Sequence, residues 1–300
     1  MSDILKGVIR KGPLLFLFLF PFSAFSFDGI RAFHYIEEQC ALGTREPGSP
    51  GHAAMKNYLE QFLIKQKGHF SKKEFTFQDK KRNKSLALTN FHLFFPGQDK
   101  KKLLLCAHYD CRPWADRESE PGRRNLPIPG ANDGGSGVAV LMELCHSLSK
   151  KAPGRSVEIV FFDGEDYGFQ GDDNWCLGSK HFAQQANPKD YAFAILLDMV
   201  GDKDLHFLRE GNSLKQAPQI MERIWKSAEQ LQLPAFSTEN GPYIYDDHIP
   251  LQKIGIPAVD LIDFDYPYWH TLSDTPDKCS DKSLSQVGQL LIELIYGQGQ

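Results

Sequence analysis

Short apolar runs alternate with amphipathic stretches along most of the chain. Leu103-Leu104-Leu105-Cys106-Ala107 is apolar at every position, the pattern of a central strand buried on both faces. Val157–Phe162, 192–197 and Ala258–Ile262 repeat it. Phe75, Phe77 and the run 86–95 predict two further strands, separated by the basic turn 80–84. Between them the apolar spacing becomes helical. Met55, Tyr58, Leu59, Phe62 and Leu63 mark a helix over 52–67, introduced by Gly48-Ser49-Pro50-Gly51. Residues 138–148 predict a helix after a glycine-rich turn, 218–231 another, and 284–295 a closing amphipathic one. Strands alternating with helices predict an α/β fold. The expected form is a mixed, mostly parallel twisted sheet with helices on both faces.

The first 26 residues read differently. Lys6, Arg10 and Lys11 precede an unbroken apolar run from Leu14 to Phe20, then Pro21 and the small residues around Ala24 and Ser26. That is the layout of a secretory signal peptide, too short an apolar run to span a bilayer of roughly 20 residues. The expected organisation is a signal peptide (or N-terminal anchor) at 1–26 and one catalytic domain at 27–300. Export, to a periplasm or outside the cell, follows as an expectation. Composition changes the picture little. The chain of 300 residues is 41% hydrophobic with net charge −4, and no basic stripe points to nucleic acid. Apart from a possible N-terminal anchor, no membrane association is expected. Six cysteines include no C-x-x-C pair, which argues against a Cys₄ zinc site. Cys106 and Cys145 sit in apolar runs, as buried free thiols do.

Candidate chemistry gathers just past the apolar strands, where open α/β sheets bind ligands. His108-Tyr109-Asp110 follows one strand, Asp163-Gly164-Glu165-Asp166 a second, Asp198 ends a third, and Trp269-His270 follows a fourth. Asp133 lies in Ala131-Asn132-Asp133-Gly134-Gly135, leading into a helix. An isolated Asp after a strand is ordinarily a turn or cap residue. Five donors at strand ends, two of them histidines, instead suit a metal. Asp133, Asp166 and His270 would make a three-ligand zinc site with an open fourth position. His108 and Asp198 offer alternatives, and spacing gives no preference among the five. Glu165 and Asp166, as neighbours, should face different sides, so one can bind metal while the other moves a proton near neutral pH.

The segments His108-Tyr109-Asp110, Gly130-Ala131-Asn132-Asp133, Phe161 to Asp166, Leu197 to Gly201, Asp246-Asp247-His248-Ile249-Pro250 and Trp269-His270-Thr271 together resemble glutaminyl cyclases. The likeness is to the animal-type enzymes and their bacterial periplasmic relatives, which share the zinc aminopeptidase fold. It runs in order from Gly43 to Tyr296. The resemblance implies that Asp133, Asp166 and His270 bind one zinc, that Glu165 is the acid/base, and that Asp198 and Asp246 support it. Asp166 stands where the family often has Glu. The reaction implied is conversion of an N-terminal Gln of a peptide or protein to pyroglutamate with release of ammonia. The alternative is a di-zinc aminopeptidase, with His108 and Asp198 holding a second metal. Asp246 and Trp269 favour the cyclase. A non-catalytic binding ectodomain is the third reading, opposed by the complete set of site residues.

Other residues carry weaker expectations. Trp269, Tyr266 and His248 are expected at the substrate, with Phe264, Asp265 and Tyr268 beside them. His34, His52, His69, His92, His146, His181 and His206 are expected to be structural or on the surface, away from carboxylates. The loop 112–129, with Arg112, Trp114, Asp116 and Arg117, should border the site entrance. The loop 169–175, with Asp172 and Asp173, should be solvated; its spacing is not that of a calcium-binding EF-hand.

Overall fold

The structure is a computed structural model that describes residues 27–169 and 171–297. The expected signal segment, 1–26, lies outside the described residues. No helix among them is long and apolar enough to cross a membrane.

The strands are β1 (His69–Asp79), β2 (Lys84–Phe95), β3 (Lys102–His108), β4 (Val157–Phe162), β5 (Tyr191–Asp198), β6 (Phe207–Arg209), β7 (Phe236–Asn240) and β8 (Ala258–Ile262). Six of them form one sheet in the order β1-β2-β4-β3-β5-β8. β4, β3, β5 and β8 run parallel, and the hairpin β1–β2 joins antiparallel to β4. β6 and β7 form a separate parallel pair. The mixed, mostly parallel sheet expected from the apolar runs is therefore present.

The period-two alternation of β3 decides what covers each face. Leu103, Leu105 and Ala107 enter the larger core, together with Ile36 of α1 (Gly29–Ala41), Leu59 of α2 (Pro50–Leu63), Leu141 of α3 (Gly135–Lys150) and Leu291 of α8 (Asp281–Tyr296). Leu104 and Cys106 enter the smaller core with Phe182 of α4 (Leu177–Gln185) and Leu251 of α7 (His248–Lys253). Helices thus lie on both faces. α5 (Gly211–Gln216) and α6 (Pro218–Gln230) lead from β6 towards β7. Leu105 is fully buried, so Leu105→Ala would cost about 2–5 kcal/mol.

Helix starts follow local chemistry. Ser49 Oγ accepts from the His52 amide at 2.9 Å, and Pro50 opens α2, matching the expected start. The sequence pattern gave no element over 29–41. α1 is there nonetheless, capped by Asp28 and tied to α3 by Arg31, whose guanidinium donates to Glu143 at 2.5 and 2.7 Å. Its buried face includes Tyr35 and Gln39, which thins the apolar stripe that signals a helix. From β3 the chain crosses to β4 on one side, then to β5 on the other. That reversal leaves a crevice beyond the carboxyl end of β3, where a ligand site is expected.

Candidate active site

The crevice is built by loops pinned to the sheet through carboxylates. Asp110, two residues past β3, accepts the amides of Gly164, Glu165 and Asp166 at 2.9, 3.0 and 3.1 Å. This fixes the acidic turn after β4. Asp163 is itself structural: it accepts from His52, the Thr89 amide and the Tyr109 hydroxyl. Asp274 accepts the amides of Asn132 and Asp133 at 2.9 and 3.1 Å, holding the loop before α3. Gly134 in that loop has φ +81°, and a Cβ there would lie 2.4 Å from Asp110 O and 2.9 Å from His108 Cε1. Only glycine fits.

Three donors converge at one point. His270 Nε2 lies 3.6 Å from Asp133 Oδ2 and 3.5 Å from Asp166 Oδ1. All three residues are buried, and Asp133 Oδ2 and Asp166 Oδ2 have no hydrogen-bond partner. Unpaired buried carboxylate oxygens are costly. One nitrogen and two carboxylates within 4.8 Å of one another suit a zinc ion. The ring of His270 is oriented for this. Its Nδ1 meets Asp116 Oδ1 at 3.0 Å, which turns Nε2 inward. Its backbone is held at φ 56°, a left-handed conformation that non-glycine residues adopt mostly under local constraint.

Arg112 ties the group together. It donates to Asp166 Oδ1 at 2.9 Å and forks onto Asp116 at 3.0 and 2.6 Å. The sequence placed Arg112 at an entrance, yet it is 1% exposed, because its charge is spent on Asp166 and on Asp116, which also holds His270. Burial alone would lower the His270 pKa, but Asp166 and Asp116 outweigh it and raise it to about 9. Burial pushes Asp166 up, but His270 and Arg112 bring it below the ordinary carboxylate range. Asp133 is raised to about 6 by burial and by the charge of Asp166.

His108, fully buried, sits on the far side of Asp133. Its Nε2 bonds Asp198 Oδ1 at 3.2 Å and lies 3.3 Å from Asp133 Oδ1. Asp133 therefore faces a histidine with each oxygen. Glu165 is buried beside them. Burial and the neighbouring charge of Asp246 push its carboxyl well above the ordinary value, and Asp246 is raised likewise by burial and Asp198. Glu165 and Asp246 line a pocket with Trp269, Phe264, Trp175 and Tyr245. Trp269 packs on His270 at 4.0 Å between ring centroids.

Several expected residues lie elsewhere. Tyr266 is buried and donates to Asp274 at 2.8 Å, the carboxylate that also accepts the Asn132 and Asp133 amides. His248 is fully buried, its ring nitrogens 3.3 Å from Glu210 and 3.5 Å from Asp260, so a chain of carboxylates draws it inward. His52 and His92 were expected away from carboxylates; they bond Asp163 at 2.7 Å and Glu158 at 3.0 Å. The loop 169–175 is not wholly solvated. Asp172 pairs with Lys81 and Arg82, and Trp175 lies under the Arg112 guanidinium at 4.6 Å. Trp175 and Cys176 were missed. Their one signal is position, a Trp-Cys pair ten residues past Glu165-Asp166 at a helix start.

Residues 90–295 match the model of peptidase family M28. This chain belongs to peptidase family M28. Among solved structures, this M28 chain is similar to a glutaminyl cyclase of Bacteroides thetaiotaomicron bound to N-acetylhistamine. The TM-score is 0.86 at 33% identity, over 91% of this chain and 99% of that one. It is as similar to a Zn-dependent exopeptidase of Parabacteroides distasonis, with TM-score 0.87 and 34% identity over 91% and 99%. Glutaminyl-peptide cyclotransferase of Bos taurus is 24% identical over 284 residues, 82% of this chain and 76% of that protein. Aminopeptidase YwaD of Bacillus subtilis is 27% identical over 205 residues; these are 63% of this M28 chain but only 39% of that longer protein. The expected likeness to cyclases on a zinc aminopeptidase-type fold is borne out. This M28 protein is an enzyme of the metallopeptidase and glutaminyl cyclase family.

Proposed function

We propose that this enzyme is a glutaminyl-peptide cyclotransferase using one zinc, held by Asp133, Asp166 and His270. The observation that carries the reading is the direct hydrogen bond between His108 and Asp198. It pairs His108 Nε2 with Asp198 Oδ1, two atoms that a second metal would need, whereas Asp133 Oδ2 and Asp166 Oδ2 stay unpartnered. A peptidase must activate water, which paired metals do well. A cyclase needs no water, because nucleophile and electrophile belong to one substrate.

Bound at this site, zinc would polarise the γ-carboxamide oxygen of the N-terminal glutamine. The pocket walls, Trp269 and Phe264, hold the side chain as it folds back on its α-amine. Glu165 takes a proton from the amine as the ring C–N bond forms, and returns one to the nitrogen that leaves as ammonia. Burial beside Asp246 raises its pKa, which strengthens it as the base that takes the amine proton. Asp246 and Asp198 steady the proton-bearing Glu165. Peptides or proteins with N-terminal Gln are the partners, and residues 27–300 act as one catalytic unit after an export signal.

The aminopeptidase reading keeps one observation in its favour: His108, Asp133 and Asp198 also lie within 4.8 Å of one another. Ammonia release from a Gln-initiated peptide decides between them. Release without cleavage of aminoacyl amides is the expected result. Cleavage of those amides without ammonia from the Gln peptide would overturn it.

A further inference from the structure

The reaction above has no use for Cys176. Yet its Sγ lies 3.2 Å from Glu165 Oε1, and its amide donates to Glu165 O at 2.9 Å. It is fully buried and its backbone is left-handed, with φ 55° and ψ 41°, so the chain is bent to bring this thiol against the acid/base. Opposite stands Asp246, 3% exposed, with Oδ1 accepting the Asp247 amide and Oδ2 unpartnered. Donor atoms of Glu165, Cys176 and Asp246 lie within 4.8 Å of one another, close enough for one ion to reach all three. Their chemistry differs from that of the Asp133–Asp166–His270 group. A sulfur with two carboxylates selects soft or borderline cations such as Cd²⁺ and Zn²⁺ over Mg²⁺ or Ca²⁺. An ion has a way in, because Glu165 and Asp246 line the open pocket.

We propose that Glu165, Cys176 and Asp246 form an inhibitory site for a soft divalent cation, separate from the Asp133–Asp166–His270 centre. On binding, the metal–sulfur bond forms as the thiol proton passes to solvent, with no change of oxidation state. Glu165, now a ligand, no longer takes the amine proton. The inhibition rests on the acid/base reading of Glu165; the binding does not.

The test is a cadmium titration of the enzyme carrying one zinc, following ultraviolet thiolate-to-metal charge transfer and bound metal by equilibrium dialysis. The wild type is expected to take up one further equivalent with a charge-transfer band, and to lose Gln cyclisation in step with it. Cys176→Ser and Cys176→Ala are expected to keep the first zinc, show no band, and bind the further cadmium about tenfold or more weakly. No band at saturation in the wild type overturns the proposal, and that result needs no variant. A band that persists in both variants overturns it too, since another cysteine would be the ligand. Unchanged uptake of the further equivalent by the variants, without sulfur, overturns it in favour of His108–Asp133–Asp198. A cysteine-dependent band in a protein that never cyclises Gln upholds the site and overturns the cyclase reading instead.

Discussion

Asp133 has two neighbours of the same kind, and they are held differently. On one side His270 is fixed through Nδ1 by Asp116, and its Nε2 stands 3.5–3.6 Å from two carboxylates, each with one oxygen, Oδ2, that lacks a hydrogen-bond partner. On the other side His108 bonds Asp198 directly at 3.2 Å. On the proposed reading a cation completes the first arrangement, whereas in the second His108 Nε2 and Asp198 already hold each other. One ligand-rich crevice can thus favour a single metal although it carries the side chains for two.

The comparison breaks most visibly by removing each histidine. His270→Ala is expected to weaken zinc binding by more than about 100-fold, beyond the range for an outer-shell partner, and to abolish activity. His108→Ala is expected to retain one zinc per chain. Metal analysis after dialysis reads both, and equal losses would break the asymmetry. Next, Glu165→Gln should lower kcat for Gln cyclisation by about 10²–10⁴-fold, the usual worth of general acid–base catalysis, with zinc content unchanged. Arg112→Lys keeps the charge but cannot fork onto Asp116 while reaching Asp166. It should weaken zinc affinity by about 10–100-fold, read by competition with a chelator, and leave the His108 side intact.

The smallest effect lies off the metal and serves as a control. Asp263, 2% exposed, accepts the His206 amide at 3.0 Å, and burial raises its pKa to about 7. A carboxyl raised in the folded state contributes stability that is full below its unfolded pKa of about 3.9 and lost as pH rises through about 7. Between about pH 6 and about pH 8 the wild type should lose roughly 1.4 kcal/mol that Asp263→Asn does not. Denaturant midpoints at the two pH values check this, and zinc content should not change.

The part of this site legible in sequence is the part that apolar runs deliver. Every proposed zinc ligand except Asp133 follows a strand that reads as apolar, and Asp133 sits in a glycine turn before a readable helix, so the crevice could be located. The choice of ligands came from resemblance, because spacing along the chain does not encode which carboxylate oxygens end unpartnered. Arg112 was misplaced, since arginine in a polar loop looks solvent-facing until Asp116 and Asp166 are seen around it. His248 and Tyr266 were misjudged for a related reason. Proximity in sequence to Asp246 or His270 does not say on which side of the strand end a ring is buried. Trp175 lay in a loop whose polar composition concealed a wall of the pocket, and Cys176 follows directly after it. α1 was missed because a Tyr and a Gln occupy its buried stripe.

The most direct measurement is activity against metal content. Metal-free enzyme is reconstituted with increasing zinc, and ammonia release from a Gln-initiated peptide is followed beside cleavage of an aminoacyl amide. Cyclisation that reaches its maximum at one zinc per chain, with no amide cleavage at any ratio, is the predicted result. Peptidase activity that grows in with a second equivalent would contradict it.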